Sequence, residues 1–252
     1  MTLGVSAMSD TESFEIFGIT EKYQNKEQTQ NGDHILYRVI PEENLVVALL
    51  ADGVSNSPCD FLSSRTACET FMQDFLAASK SDLEERIFHA MQEAHYAVLN
   101  HEEHHGMLCA FAAVVWRIGE NDFYFINIGD TRIYKVSGET SEQITEDEAD
   151  TEFLRRGSTI ATDGSGQPLV RRVITNGVGS KTCRITVRKG LWQKGELLIL
   201  ASDGFYNIYD IIDEVRIAIL NNKTLSTALS KVWVNNMEGF EDDNSVIVLK
   251  RI

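Results

Sequence analysis

The sequence of 252 residues is poor in proline, in paired cysteines and in basic residues, and each shortage excludes a class of protein. Three prolines exclude long proline-rich linkers. The four cysteines form no C-x-x-C pair and no signal peptide precedes them, so we expect free thiols in a reducing cytoplasm. No apolar run reaches the roughly 18 residues of a membrane span. A net charge of −15 predicts no binding to nucleic acid or to anionic membranes.

The length and a hydrophobic content of 43% predict one globular domain over residues 1–252. Residues 1–12 are small and polar without periodicity, so we expect them to be flexible. Residues 138–182 are polar and irregular, and we expect one short helix within them near 148–156. An irregular segment of this length is usually functional or mobile.

Alternating or continuous apolar runs predict strands, and apolar residues at helical spacing predict helices. The predicted strands are 13–19, 35–40, 45–51, 108–116, 122–128, 131–136, 184–188, 196–201 and 245–251. The predicted helices are one capped by Ser63 or Ser64, one capped by Ser81 or Asp82, and two more near 210–220 and 224–237. Strands in groups, with helices in pairs between them, predict antiparallel sheets covered by helices, an α+β fold.

Aspartates recur where predicted strands begin or end. Asp52, Asp130 and Asp203 each follow an apolar strand and each has a glycine neighbour, while Asp33 and Asp243 precede strands. Asp-Gly is also ordinary turn chemistry. Five such positions in an acidic chain favour a site where carboxylates gather around cations, because clustered carboxylates otherwise repel each other. Ligation by oxygen alone selects Mg²⁺ or Mn²⁺.

These aspartates lie in short motifs that follow one another along residues 31–245. The motifs are Asn31-Gly32-Asp33, Ala51-Asp52-Gly53-Val54-Ser55, Gly129-Asp130-Thr131-Arg132, Ala201-Ser202-Asp203-Gly204 and Asp243-Asn244-Ser245. Each motif alone is weak, but in this order and at this spacing the chain resembles the metal-dependent protein phosphatases, the type 2C or PPM family. The resemblance implies a four-layer αββα sandwich with the metal centre at one end, between the sheets.

The resemblance also implies an activity, the hydrolysis of phosphoserine and phosphothreonine on proteins that a serine/threonine kinase has phosphorylated. Two Mg²⁺ or Mn²⁺ ions, with a third and weaker ion in bacterial members, activate water for in-line attack on phosphorus. The implied roles are Asp52 as the bridge between two ions, the Gly53 carbonyl on the first ion, Asp203 and Asp243 on the second, Asp130 on the third, and Asp33 on metal-bound water. Asp33 and Asp52 are thus the implied catalytic residues.

The chain departs from the family pattern on the substrate side. Gln28 stands where many members have a phosphate-binding arginine, Val54 where some have a histidine, and Gly32 where a glutamate is common. A catalytically weak or inactive relative that binds phosphoproteins is therefore the alternative function. The basic pairs Arg155-Arg156 and Arg171-Arg172 are candidates to bind the phosphate, although solvated surface charge is their simpler interpretation.

Three other features have competing interpretations. His101-Glu102-Glu103-His104-His105 contains H-E-x-x-H, which binds zinc when it lies along one helix face. Gly106 follows at once, which places the motif at a helix end, where histidine complements the helix dipole. Arg132 could bind phosphate, but we expect it to pair with a nearby carboxylate. Cys109 lies in a predicted strand, so we expect a core thiol.

Overall fold

The computed structural model describes residues 2–8, 13–24, 30–78, 82–222 and 224–252, with the backbone alone for 2–8 and for Arg156. The strands are β1 Thr2–Met8, β2 Ser13–Glu21, β3 Asp33–Ile40, β4 Leu45–Gly53, β5 Cys109–Arg117, β6 Asp122–Ile128, β7 Arg132–Ser137, β8 Thr140–Gln143, β9 Ala149–Phe153, β10 Arg155–Arg156, β11 Thr159–Ile160, β12 Val170–Ile174, β13 Arg188–Leu191, β14 Leu197–Ala201 and β15 Asn244–Arg251. The helices are α1 Asp60–Ala77, α2 Leu83–Leu99, α3 Asp203–Tyr206, α4 Ile211–Asn221 and α5 Leu225–Asn236, with 3-10 turns at Pro41–Glu43 and Met237–Gly239.

Two antiparallel sheets form the centre of the fold. One has six strands in the order β1-β2-β15-β14-β7-β8, and the other has five in the order β13-β6-β5-β4-β3. Two small two-stranded sheets, β9 with β12 and β10 with β11, lie in the segment that connects β8 to β13. The predicted α+β sandwich of two antiparallel sheets with helices is confirmed.

Three apolar clusters hold the layers together. One fills the space between the sheets, a second joins the five-stranded sheet to α1 and α2, and a third joins the six-stranded sheet to the helices α3 to α5. Along β4, Val46 and Leu50 face the other sheet while Val47 and Leu49 face the helices. The continuous apolar run of this strand thus serves two cores, as predicted.

The segment between residues 138 and 182 differs from its prediction. The expected helix near 148–156 is wrong, because Ala149–Phe153 forms β9 and pairs antiparallel with Val170–Ile174. This stretch has no apolar residues at helical spacing. Its backbone N–H and C=O groups find their hydrogen-bond partners in a strand some twenty residues further along the chain. We name this hairpin, together with β10 and β11, the flap.

Other boundaries also shift. The predicted strand 184–188 is wrong, and Arg188–Leu191 pairs with β6 instead. Helix α1 begins at Asp60, ahead of the expected caps Ser63 and Ser64, after Cys59 in a left-handed conformation. Asp82 caps α2 as predicted, accepting from two backbone N–H groups of its first turn.

The N-terminal segment is expected to be flexible, and that expectation stays a prediction. Thr2–Met8 pairs with Ser13–Glu21 as the edge of the six-stranded sheet, and residues 1 and 9–12 lie outside the described part. Within the described ranges, no helix combines the length and the apolar character needed to cross a bilayer.

Candidate metal centre

A buried aspartate and a half-buried one face each other at the end of the five-stranded sheet. Asp52 continues the face of β4 that points to the other sheet, and Asp33 of β3 is its cross-strand partner. Ser202 at the end of β14 donates a hydrogen bond of 2.7 Å from Oγ to Oδ2 of Asp33. This bond joins the two sheets at the site. Oδ1 of Asp33 is buried without a hydrogen-bond partner.

Two glycines beside these aspartates have no room for a side chain. A Cβ at Gly53 would overlap the carbonyl oxygen of Asp60, and it would lie 2.8 Å from the carbonyl of Gly32. A Cβ at Gly204 would overlap the carbonyl oxygen of Asp243. The Asp-Gly pairs therefore allow close approach of backbone segments around the carboxylates.

Carboxylates from separate strand ends line one cavity of about 310 Å³ between the ends of the sheets. They come from the end of β4, the turn after β6, the start of α3 and the bend before β15. The carboxylates are those of Asp52, Asp130, Asp203 and Asp242. Arg171 and Arg172 of the flap line the same cavity, so cationic side chains face the acidic group.

Burial and the charges of neighbouring aspartates make Asp33, Asp52, Asp130 and Asp203 hard to ionise. Burial, then the charges of Asp33, Asp203 and neighbouring aspartates, raises the pKa of Asp52 well above its ordinary value. Burial also raises the pKa of Asp33 and of Asp130, although Arg172 opposes the shift at Asp130. Divalent cations among these oxygens would favour the ionised forms.

Asp243, a predicted metal ligand, and its neighbour Asp242 have different surroundings. The carboxylate of Asp243 accepts hydrogen bonds from the backbone N–H groups of Gly32, at 2.7 Å, and Tyr23, at 2.8 Å. It does not line the cavity, whereas Asp242 does. Asp242 Oδ1 accepts from the backbone N–H of Asp243 at 2.8 Å. In this arrangement the Asp243 carboxylate faces backbone amides, and its predicted role as a metal ligand stays a prediction. The sequence offered no signal to choose between adjacent aspartates.

The four arginines predicted to bind phosphate separate in space. Arg171 and Arg172 line the cavity, whereas Arg155 lines an adjoining groove with Arg171. The side chain of Arg156 and the whole of Gln28 lie outside the described residues. Arg155 does not line the cavity that the carboxylates share, and its predicted role in binding phosphate stays a prediction.

Arg172 and Arg132 meet on a carboxylate that sequence reasoning missed. Arg132 donates from Nη2 to Oδ2 of Asp147 at 2.7 Å, which confirms its predicted local pairing. Arg172 bonds the same oxygen, and its Nε lies 2.9 Å from Oδ2 of Asp130. Asp147 stands in the irregular segment after β8, where no periodicity marked it.

The H-E-x-x-H motif does not form a helix face. Helix α2 ends at Leu99, so His101 and His104 lie in the following loop, with their ring centroids 5.5 Å apart. This placement does not give the i, i+4 geometry that a zinc protease uses. Cys109 is fully buried in β5, and burial raises the pKa of its thiol, which confirms the core interpretation.

A family model for protein phosphatase 2C matches residues 22–231. The chain belongs to the protein phosphatase 2C family. The serine/threonine phosphatase of S. agalactiae is 19% identical over 94% of this chain and 99% of its own, with a TM-score of 0.73. The PPM phosphatase MsPP from Mycobacterium smegmatis, in complex with cacodylate, is 20% identical over 93% and 97%, with a TM-score of 0.69.

The catalytic domain of the phosphatase PstP, in complex with two manganese ions, is 15% identical over 95% of this chain and 98% of its own, with a TM-score of 0.69. These structures share the fold of this member of the phosphatase 2C family. A search of curated protein sequences finds no match.

The residues of this phosphatase 2C member fit divalent cations in donor chemistry and in burial. The donors are oxygens, one buried oxygen of Asp33 lacks a partner, and the glycines at 53 and 204 allow backbone carbonyls to come close to the site. Within the described part of the chain, no group of three or more His, Cys, Asp or Glu side chains already stands close enough together to hold a metal ion. The carboxylates instead line an open cavity, which leaves space for substrate as well as ions.

Proposed function

We propose that this chain is a metal-dependent serine/threonine phosphoprotein phosphatase with one PPM domain over residues 1–252. The observation that carries the proposal is the convergence of Asp52, Asp130, Asp203 and Asp242 on one cavity that two arginines also line. Membership of the family and the manganese ions bound to PstP support it. When bound, two Mg²⁺ or Mn²⁺ ions would lower the pKa of water and neutralise charge on the phosphoryl oxygens.

We propose the ligands from the residues that line the cavity. Asp52, at the end of β4, and the carbonyl of Gly53 would hold the ions together with Asp203 and Asp242. Asp242 is proposed in the place that the resemblance gives to Asp243. Asp130, which lies beside the flap, suits a third and more weakly held ion, because Arg172 already offsets its charge.

Asp33 acts from behind the ligands. Its carboxylate is buried, Ser202 donates to one oxygen, and the other oxygen has no hydrogen-bond partner and so keeps the capacity to accept from a water. Ser202 in turn accepts from the backbone N–H of Ser245 at 2.9 Å, which fixes its hydroxyl. These two hydrogen bonds hold the carboxylate of Asp33 in one orientation, in which it would orient the attacking water and accept its proton.

Arg172 and Arg171 are the groups that would bind the phosphate. Both lie on β12 at the rim of the cavity, and a guanidinium suits phosphate because its planar N–H fork matches two oxygens. Val54 lines the cavity where a histidine would offer a proton donor. The leaving serine or threonine oxygen must then take its proton from solvent.

The substrate is a phosphoserine or phosphothreonine protein, so a serine/threonine kinase opposes this enzyme. The described cysteines form no disulfide, which is compatible with the reducing cytoplasm expected from the sequence. These assignments belong to the same proposal.

The test is hydrolysis of p-nitrophenyl phosphate and of phosphothreonine and phosphotyrosine peptides by protein stripped with EDTA and reloaded with Mn²⁺ or Mg²⁺. We expect turnover of the phosphothreonine peptide with either ion, none in EDTA, and none with Asp52→Asn. Wild-type protein that binds Mn²⁺ yet hydrolyses no substrate would instead support the alternative, a phosphoprotein-binding relative. Protein that binds no Mn²⁺ would refute both the centre and the activity.

A further inference from the structure

Arg172 extends from the flap to the carboxylate of Asp130 in the cavity. Its Nε lies 2.9 Å from Oδ2 of Asp130, whose side chain is only 11% exposed, while the arginine side chain is 39% exposed. Strand β12 therefore delivers a positive charge from the solvent side onto a largely buried carboxylate. A cationic side chain therefore occupies the carboxylate oxygen that the proposed function gives to the third ion. We call this third ion the outer ion and its position at Asp130 the outer site.

The neighbouring carboxylate, Asp147, is held independently of Arg172. Arg132 donates to both of its oxygens, at 3.0 and 2.7 Å. The Arg132 guanidinium also stacks 3.7 Å above the ring of Tyr206, and the Tyr206 hydroxyl donates to the backbone carbonyl of Asp130 at 2.9 Å. Asp147 is thus a fixed second partner that retains Arg172 when its bond to Asp130 breaks.

Arg171 shows that this pairing is specific to one of two adjacent arginines. It lines the same cavity, but its guanidinium pairs with Glu152 of β9 at 3.0 Å, and both side chains are 53% exposed. Alternation along β12 sends the two side chains to opposite faces of the hairpin. Arg171 has the same charge near the same cavity without touching Asp130.

We propose that Arg172 is an internal cation that occupies Asp130 in place of the outer divalent ion, so that the ion and the flap arginine compete for this carboxylate. The inference rests on the proposed function. A guanidinium and a divalent cation on one carboxylate repel each other at short distance. Binding of the outer ion therefore displaces Arg172, which stays tethered to Asp147 with N–H groups free for a phosphate oxygen. Occupancy of the outer site thereby controls when the phosphate-binding arginine is available.

The test is Mn²⁺ binding, measured by isothermal titration calorimetry and by the electron paramagnetic resonance of free Mn²⁺, without any substrate. Arg172→Gln should strengthen the weakest class of Mn²⁺ sites by about fivefold or more, the lower end of coupling between interacting sites. The tighter sites should not change. Arg172→Lys keeps the charge and should stay near wild type. Arg171→Gln, the matched control, should change the weakest class by less than about twofold, as expected of an exposed pair.

Asp130→Asn completes a double-mutant cycle. It should remove the weakest class of Mn²⁺ sites, so Arg172→Gln should have no further effect on Mn²⁺ binding in the double variant. If Arg172→Gln and Arg171→Gln strengthened the weakest Mn²⁺ sites equally, the loss of one positive charge near the cavity would explain both effects. That result would overturn the proposal. An unchanged weakest class in Arg172→Gln would also overturn it while the proposed function stands. A wild-type protein that binds no Mn²⁺ would overturn both.

Discussion

Adjacent aspartates at the start of β15 provide the sharpest test of the metal centre. The buried carboxylate of Asp243 accepts from the backbone N–H groups of Gly32 and Tyr23, and Asn at this position would aim its own N–H₂ at one of them. Loss of one bond to a charged acceptor, with a donor left unsatisfied, costs about 2–3 kcal/mol. We expect Asp243→Asn to lower the Tm in EDTA by about 5–10 °C for a chain of this length.

Asp242→Asn should behave in the opposite way. Its Oδ1 acceptor, and so the bond from the Asp243 amide, survives the change, and one charge leaves a crowded acidic cavity. The Tm in EDTA should therefore stay within about 1 °C of wild type or rise slightly, as for a neutral surface change. The Mn²⁺ affinity should fall at least about tenfold, or about 1.4 kcal/mol, because an anionic ligand is lost.

The two variants are compared by thermal unfolding in EDTA and by titration with Mn²⁺ in the same buffer. The two measurements together decide which aspartate is the metal ligand. The Tm in EDTA should fall in Asp243→Asn, and the Mn²⁺ affinity should fall in Asp242→Asn. The reasoning is refuted by the reverse pattern, in which Asp243→Asn unfolds at the wild-type temperature and loses Mn²⁺ while Asp242→Asn binds Mn²⁺ normally.

Three further changes have defined outcomes. Asp52→Asn should abolish hydrolysis of p-nitrophenyl phosphate at saturating Mn²⁺, because an amide offers one neutral acceptor where a bridge needs two anionic oxygens, while Asp130→Asn should retain measurable turnover. Gly204→Ala should lower the Tm and the Mn²⁺ affinity together, because the new Cβ would overlap the carbonyl of Asp243; normal values for both would contradict the close approach. Burial opposes ionisation of Asp147, but hydrogen bonds from its two arginine partners outweigh it and hold its pKa below the ordinary 3.8. Its stabilising effect is therefore complete above that pH and lost as the pH falls through the lowered pKa, so the Tm gap between wild type and Asp147→Asn should shrink below about pH 4.

Much of the group of carboxylates at the cavity could be predicted, because the sequence signals for these residues are local. An apolar run buried on both faces predicts a strand. A carboxylate at the end of such a strand costs free energy unless a hydrogen-bond donor or a cation pairs with it. Asp52, Asp130 and Asp203 carry this signal within a few residues of their own positions. The order of the motifs then led to the family, and with it to a two-sheet fold that composition alone does not specify.

The helix expected near 148–156 failed for the converse reason. The stretch is polar and has no strong periodicity of its own, so its conformation depends on the strand with which it pairs. Backbone hydrogen bonds from Val170–Ile174 supply that partner. The position of Arg172 depends on the same pairing, since only the folded flap brings it to Asp130.

The apolar strands that carry the aspartates, the aspartates at their ends and the family could be predicted from the sequence, because each rests on residues close together along the chain. Which carboxylate of an adjacent pair faces the cavity depends instead on contacts between distant segments. Asp243 is turned away by backbone amides of Gly32 and Tyr23, which lie 211 and 220 residues earlier in the chain. Asp242 lies one residue further from β15, in a bend that leads into the cavity. Hydrogen bonds between segments so far apart in the chain form only when the two sheets pack together. No local sequence pattern could therefore predict them.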